Sequence, residues 1–388
     1  MSEPLVHRMR AFGTTIFAEM SALAVQTGSI NLGQGFPDTD GPSAMLERAV
    51  EAIKGGANQY PPGPGVPELR EAVSEHRASH YGLQYDPAGE ILVTVGATEA
   101  IAASVLALCE PGDEVIAFEP YYDSYAASIA MAGARLVAVT LRPVDGRFTF
   151  DPAELRAAVS PRTKAILVNS PHNPTGTVFT RGELTTIAEL CQERDLIAIT
   201  DEVYEHLTFD GAEHVPMATL PGMRERTVMI SSAGKSFSVT GWKTGWICAP
   251  PPLVKAVQTV KQFLTFTASA PWQLAVAYGL RNELQWVAGL RAELESKRDR
   301  LMEGLSAAGF EVLKPSGTYF VQTDIRPLGF TDGLDLTRKL PALAGVVAIP
   351  TQVFYDHQER GSHFVRFAFC KKDEVIDEAV TRLKHLSP

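Results

Sequence analysis

Two lysines, Lys235 and Lys243, stand among small, hydroxylated and glycine residues in "SSAGKSFSVTGWKTG" (231–245), with no acid in the stretch to pair with. A lysine so placed can lose its proton and attack an aldehyde, or bind an anion that the chain does not supply. An equally isolated acid, Asp201, ends the apolar run "LIAITDE" (196–202), where a buried carboxylate needs a cationic partner. "VGATEA" (95–100) places Gly96, a row of backbone N–H groups and Thr98 at a helix start, a setting suited to phosphate, to which Ser232 and Lys243 can add a hydroxyl and a cation. Tyr122 in "EPYYDSY" (119–125) can stack on a flat ring. Each feature has a plainer reading: Gly96 as a turn, "NPTG" (173–176) as a turn, Lys235 as a surface lysine. Taken together they ask for an aldehyde, a protonated pyridine, a flat ring and a phosphate, which are the parts of pyridoxal phosphate.

These residues need a scaffold that brings them to one place. "EILVTV" (90–95), "EVIAFE" (114–119), "ARLVAVTL" (134–141), "KAILVNS" (164–170), "LIAITDE" (196–202), "TVMISS" (227–232) and "GWICAP" (245–250) predict strands, with helices over 98–109 and 181–195 between them. Continuous apolar runs alternating with helices predict an α/β fold, a mostly parallel sheet covered on both faces. Ligands of such sheets bind beyond the carboxyl ends of the strands, where Gly96, Tyr122, Asn173, Asp201 and Lys235 all fall. After about residue 285 the texture changes to a long charged helix (290–309), shorter strand-like pieces ("FEVLKPSG", "TYFVQTD", "VVAIP", "HFVRFAFC") and a final helix, which predict a smaller α+β domain. The expected division is an N-terminal segment (1–40) packing with the small domain, a large cofactor-binding domain (41–285) and the small domain (286–388).

A net charge of −10 argues against a nucleic-acid partner. The four cysteines form no CxxC pair, so neither a disulfide framework nor a metal site is expected, and a reducing cytoplasm is the natural compartment. The start "MSEPLVHRMRAFG" lacks an apolar core of signal-peptide length, and no run approaches the ~18–20 apolar residues of a membrane span.

"NSPHNPTG" (169–176), "TDEVYEHL" (200–207) and "SSAGKSFSVTGWKTGW" (231–246) resemble the signatures of fold-type I pyridoxal-phosphate aminotransferases of class I/II, the aspartate aminotransferase superfamily. "NLGQGFPD", "NQYPPGPG", "TVGATEA", "EPYYDSY" and "HFVRFAFCK" follow in the expected order, so the resemblance covers essentially the whole chain. Within the family the chain is similar to the kynurenine/methionine/glutamine branch. "HRMRAFGTTIFAEMSAL" (7–23) and "GQGFPDTDGP" (33–42) resemble actinobacterial proteins assigned as N-succinyldiaminopimelate aminotransferases. The resemblance implies that Lys235 carries the cofactor as a Schiff base and shuttles the proton. It implies that Asp201 pairs with the ring nitrogen, that Tyr204 and Asn173 bond the ring oxygen, and that Tyr122 stacks on the ring. Ala97, Thr98, Ser232 and Lys243 would bind the phosphate, joined by Tyr60 from the other subunit of a homodimer. Arg366 would clamp the substrate carboxylate with Asn173 and the Gly35 backbone, and Asn169 would brace the arginine or the ring pocket. Lys243 stands where relatives often carry arginine, which shifts some phosphate grip to the backbone. Phe17 stands where the kynurenine branch often has tryptophan, which lowers the expected preference for aromatic substrates.

The implied substrates are an amino acid and a 2-oxo acid. Aspartate is expected to be a poor donor, because "FLTFTASAPW" (263–272) lacks the second arginine of dicarboxylate-specific relatives. Alternatives are a kynurenine, methionine or glutamine aminotransferase and a carbon–sulfur β-lyase, which would release ammonia and pyruvate. More distant is a non-catalytic module that only binds the cofactor.

Overall fold

The computed structural model describes residues 4–13, 15–384 and 386. The ends of the expected N- and C-terminal segments (1–3; 385, 387 and 388) and Thr14 of the N-terminal motif lie outside them.

Seven strands build the main sheet: β1 (Ile91–Val95), β2 (Glu114–Glu119), β3 (Arg135–Thr140), β4 (Thr163–Asn169), β5 (Ile197–Asp201), β6 (Thr227–Ser232) and β7 (Thr244–Cys248), in the order β1-β7-β6-β5-β4-β2-β3. All run parallel except β7, which is antiparallel to both its neighbours. The α/β expectation therefore holds, with one reversed strand inside the sheet. That reversal matters for position: β7 begins where the others end, so the residue before it, Lys243, reaches the edge that carries Gly96, Asp201 and Ser232.

The apolar runs are continuous because both faces of the sheet are covered. Helices α2 (Ser43–Lys54), α3 (Pro67–Tyr81), α4 (Gly96–Leu108), α5 (Arg181–Glu193), α6 (Pro251–Leu264) and α7 (Ala270–Asn282) supply most of the cover, while α1 (Ile16–Thr27) and most of α8 (Leu284–Ala307) pack on the side of the second sheet. On β1, Ile91 and Val93 face a core with Met45 of α2, Leu69 and Val73 of α3 and Val276 of α7. Leu92, between them, faces the opposite core with Ile101 of α4 and Val257 of α6. This is strand alternation with both sides apolar. A capping box starts α5: the Glu183 amide donates to Thr180 Oγ1 (3.2 Å) and the Thr180 amide donates to the Glu183 carboxylate (2.7 Å).

A second, antiparallel sheet has β8 (Glu311–Leu313), β9 (Phe320–Asp324), β10 (Ile349–Pro350) and β11 (Phe364–Ala368) in the order β8-β9-β11-β10. It packs with α8 and the C-terminal helix Asp373–Leu383 around Leu301, Val321, Val365, Phe367 and Ile376. The segment "VVAIP" predicted one strand; it forms two short ones. Val346–Val347 pairs in parallel with Ile30–Asn31, and Ile349–Pro350 joins the small sheet. The pairing continues from Leu32 to both Val347 and Ala368, so the N-terminal segment lies against the small sheet and delivers Gly33–Gly35 to its edge. The helix predicted over 290–309 starts earlier, at Leu284, and the one predicted from 98 starts at Gly96, because their apolar periodicity fades before the backbone does. Among the described residues no helix is long and apolar enough to cross a membrane.

Candidate active site

One cavity of about 280 Å³ opens at the carboxyl ends of the main sheet and is closed from the other side by the small sheet and the N-terminal segment. It is lined by Gly96, Ala97 and Thr98 after β1, Tyr122 after β2, Asn169 and Asn173 at the end of β4, Asp201 and Tyr204 at the end of β5, and Ser232 and Lys235 at the end of β6. Lys243 before β7, Arg366 of β11, Gly35 and Phe17 complete it. Of the residues singled out in the sequence, only Tyr60 is elsewhere. It is 82% exposed, with its ring edge-on to Phe266 (centroids 5.2 Å apart).

At the anion end, α4 starts directly at Gly96, whose φ of +73° lies in the left-handed region. A Cβ there would stand 3.3 Å from the Lys243 side chain, so glycine leaves the lysine room beside the free amides of the helix start. Lys243 itself has φ +51°, an uncommon conformation for a side-chain-bearing residue. Gly245, one residue into β7, lets the strand approach α4 closely, because a Cβ on it would lie 2.7 Å from the Gly96 carbonyl carbon.

At the ring end, Asp201 is 4% exposed and has no ion-pair partner among the described residues. Its Oδ2 accepts from the Tyr125 hydroxyl (2.6 Å) and its Oδ1 from the Val203 amide (3.3 Å). Burial raises its pKa, and the Tyr125 hydrogen bond opposes this only in part. A cation in the cavity would offset that desolvation. Asn169 holds the neighbouring turn: its Nδ2 donates to the Asp201 carbonyl (2.8 Å) and its Oδ1 accepts from the Asn173 amide (2.7 Å). It thus ties the end of β5 to Asn173, which in turn accepts from Arg366.

Lys235 Nζ donates to the Tyr319 hydroxyl (2.8 Å) and points at the Gly35 carbonyl (3.5 Å). Burial pulls its pKa down to about 8; the Lys243 and Arg366 cations add to the fall, and Asp201 and the Cys370 thiol oppose it. A lysine at that value is neutral and nucleophilic for about a tenth of the time at pH 7, far more than an ordinary lysine.

Arg366, at 1% exposure, also lacks an acid partner among the described residues. Its Nη1 donates to Asn173 Oδ1 (3.0 Å), its Nη2 to the Gly33 carbonyl (3.0 Å), and its buried Nε has no partner. The guanidinium lies 3.9 Å from the Phe320 ring centroid, with Phe17 and Phe354 at 5.3 and 5.5 Å. Burial depresses its pKa to about 10, a desolvated cation still charged and open to a carboxylate. The carbonyl that meets Arg366 is that of Gly33, whereas the Gly35 carbonyl serves Tyr319 (2.5 Å) and Lys235.

A lone acid, a lysine of lowered pKa, an amide-lined helix start with a second lysine and a free guanidinium thus share one cavity. The donor set fits pyridoxal phosphate, since the orphaned Asp201 and the Gly96–Lys243 cradle correspond to its ring nitrogen and phosphate. Residues 27–383 match the model for the aminotransferase class I and II family. The chain belongs to that family. Like its other members, it is a pyridoxal-phosphate-dependent aminotransferase, taking an amino acid and a 2-oxo acid as substrates. It is 53% identical to a probable N-succinyldiaminopimelate aminotransferase of Mycobacterium tuberculosis, with 98% of each chain covered. It is 39% identical to the methionine aminotransferase of Escherichia coli, over 99% of this chain and 100% of that one. A solved structure of the Mycobacterium tuberculosis N-succinyldiaminopimelate aminotransferase superposes with a TM-score of 0.97 at 54% identity, covering 99% of this chain and all of the other.

The aminotransferase cavity also uses residues that the sequence motifs did not single out: Tyr125, Gln34, Thr240, Phe320 and, behind Lys235, Tyr319. Tyr125 follows Tyr122 across a turn closed by its amide donating to the Tyr122 carbonyl (2.9 Å), which brings both rings to the cavity. Away from the cavity, His76, His206 and Glu205 come within 4.8 Å of one another, close enough to hold a metal ion. Both Glu205 oxygens are already engaged, one by Arg77 and Ser231 and the other by Tyr81.

Proposed function

We propose that this aminotransferase takes N-succinyl-LL-2,6-diaminopimelate as amino donor and 2-oxoglutarate as acceptor. It would act in the cytoplasm as a homodimer in which Tyr60 reaches the partner's phosphate site. Arg366 carries the proposal at the reacting end: among the described residues it is the one guanidinium lining the cavity, buried and without an acid partner, and so it suits a single α-carboxylate. The 53% identical relative supports the donor. Among the described residues the other basic side chains at the cavity are Lys235 and Lys243, with no second arginine for the short side chain of aspartate. The 39% identical methionine aminotransferase and the phenylalanine walls around Arg366 favour methionine as the second candidate donor.

When bound, pyridoxal phosphate supplies an aldehyde carbon that takes up the amino group and a ring that accepts the electrons left at Cα. The chain supplies the rest. Lys235 Nζ holds the cofactor covalently and, once free, takes the Cα proton of the donor and gives it up again. Asp201 keeps a proton on the ring nitrogen, and Tyr204 and Asn173 bond the ring oxygen. Tyr122 packs on the ring face, while the Ala97 and Thr98 amides, Ser232 and Lys243 grip the phosphate. Arg366, with Asn173 and the Gly33–Gly35 segment, orients the donor so that its Cα–H faces Lys235.

A donor screen with 2-oxoglutarate tests this. The kcat/KM for N-succinyldiaminopimelate should exceed that for methionine, kynurenine or glutamine about tenfold or more, with aspartate lowest. Aspartate as best donor overturns the reading, and release of ammonia and pyruvate from cysteine conjugates marks a β-lyase instead. Borohydride should fix the cofactor on Lys235 in tryptic peptides, and Lys235→Ala should abolish that adduct. An adduct on Lys243 would overturn the assignment of the two lysines.

A further inference from the structure

Tyr319, in the strand segment "TYFVQTD", belongs to no signature motif of the site, yet its hydroxyl is the nearest polar neighbour recorded for the Lys235 amine, at 2.8 Å. The same oxygen lies 2.5 Å from the Gly35 carbonyl. A carbonyl only accepts, so at this distance the phenolic proton goes to Gly35 rather than to the Tyr204 phenol that also faces it. What the phenol presents to Lys235 is lone-pair density, and the contact has one sense: the amine donates. Gly35 O, at 3.5 Å from Nζ, is a second acceptor. With two N–H bonds directed at fixed acceptors, the remaining valence of Nζ has a defined direction. That valence is the lone pair of the neutral amine or the third proton of the ammonium.

The phenol is rigidly mounted. Tyr319 is 1% exposed and packs edge-on against Tyr204, ring centroids 5.3 Å apart. Its carbonyl accepts from the Phe369 amide (3.0 Å). The preceding residue, Thr318, has φ +67°, an outlier for a β-branched residue. It is held there by its amide donating to Leu207 O (2.9 Å) and its hydroxyl accepting from the Phe320 amide (3.2 Å). Strain of this kind persists where the surroundings over-determine it. Gly35 complements the mounting, because a Cβ on it would stand 2.5 Å from the Phe320 ring and 3.2 Å from Tyr319.

We infer that Tyr319 is a positioning residue: anchored on Gly35, it orients the free Lys235 amine for proton transfer and stabilises the ammonium that forms when Nζ takes up the Cα proton. Its own proton stays on its own oxygen throughout. The inference rests on Lys235 being the cofactor lysine. A borohydride adduct elsewhere removes that premise, whereas the experiment below reads Tyr319 in the apoprotein.

Tyr319→Phe keeps the ring and its packing. Competitive acetylation of the apoprotein across a pH series, read by mass spectrometry on the Lys235 peptide, gives the titration midpoint of Nζ. The wild-type midpoint is expected at about 8. Losing an acceptor to the ammonium should move it down by about one pH unit in the variant. In the loaded enzyme kcat should fall about tenfold or more while KM for the donor changes less than about twofold. An unchanged midpoint overturns the inference. So does a loss that appears mainly in KM together with a lowered apoprotein melting temperature, since that is the mark of a merely structural tyrosine.

Discussion

Asp201 and Arg366 are buried ions of opposite sign that do not pair with each other or, among the described residues, with any other ion. Each carries a desolvation cost that folding alone leaves uncompensated. For Asp201 this has a testable sign. Asp201→Asn removes a carboxylate whose pKa burial raises, so the apoprotein should melt at an equal or higher temperature. The same change removes the proposed partner of the ring nitrogen, and the single-turnover rate should drop by a factor of about 10² or more, roughly 3 kcal/mol of barrier. An Asn variant with unchanged turnover would remove the proposed role. Arg366→Lys replaces a planar fork with a point charge and should lower kcat/KM for every donor by a similar factor, measured across the screen. For Lys235 the folded-state pKa of about 8 lies below the ordinary lysine value. The unfolded chain therefore binds more protons between those two values, and the lysine's penalty on apoprotein stability should fade as pH rises from about 8 to about 10.5. Denaturant melts of wild type and Lys235→Met should converge over that window.

Elements decide which of these residues could be read in advance. The strand ends of the main sheet were legible because continuous apolar runs stop abruptly at Gly96, Asp201 and Ser232, and a polar residue after such a run marks the edge. Lys243 was legible as a cation near the site, but the antiparallel course of β7 was not, since a short apolar strand has no direction in its composition. Tyr319 was hidden because a tyrosine in "GTYFVQ" reads as one more core aromatic; its role comes from Gly35, distant in sequence. Helix α3 is obscured for a related reason. Its buried face includes His76 and Arg77, which blur the apolar period. Arg77 is fully buried and paired with Glu205, which also accepts from Ser231 (2.6 Å) and Tyr81 (2.8 Å), so the pair ties α3 to β6 and to the turn after β5. Arg77→Leu strands the Glu205 carboxylate and should cost about 3–5 kcal/mol in a urea melt. A loss below about 1 kcal/mol would show that the network is not structural.

At the scale of the molecule, Tyr60, Phe263, Leu264 and Phe266 are exposed apolar side chains, of which Tyr60 and Phe266 are in ring contact. A proposed dimer would cover them. Phe266→Asp should then yield a monomer in analytical ultracentrifugation that also loses cofactor on dialysis, since Tyr60 would no longer reach a partner's phosphate site. A dimer that persists with full cofactor retention would move the interface elsewhere. The grip on the substrate is divided differently. Arg366 arrives on the small sheet already stripped of water, among Phe17, Phe320 and Phe354, and that cost is met when the chain folds rather than when a ligand enters. As the proposed carboxylate clamp, Arg366 would be indifferent to whatever lies beyond Cα. A change at Phe17 therefore alters the wall of the clamp itself, so its effect should fall on every donor through the shared carboxylate and not on one side chain alone.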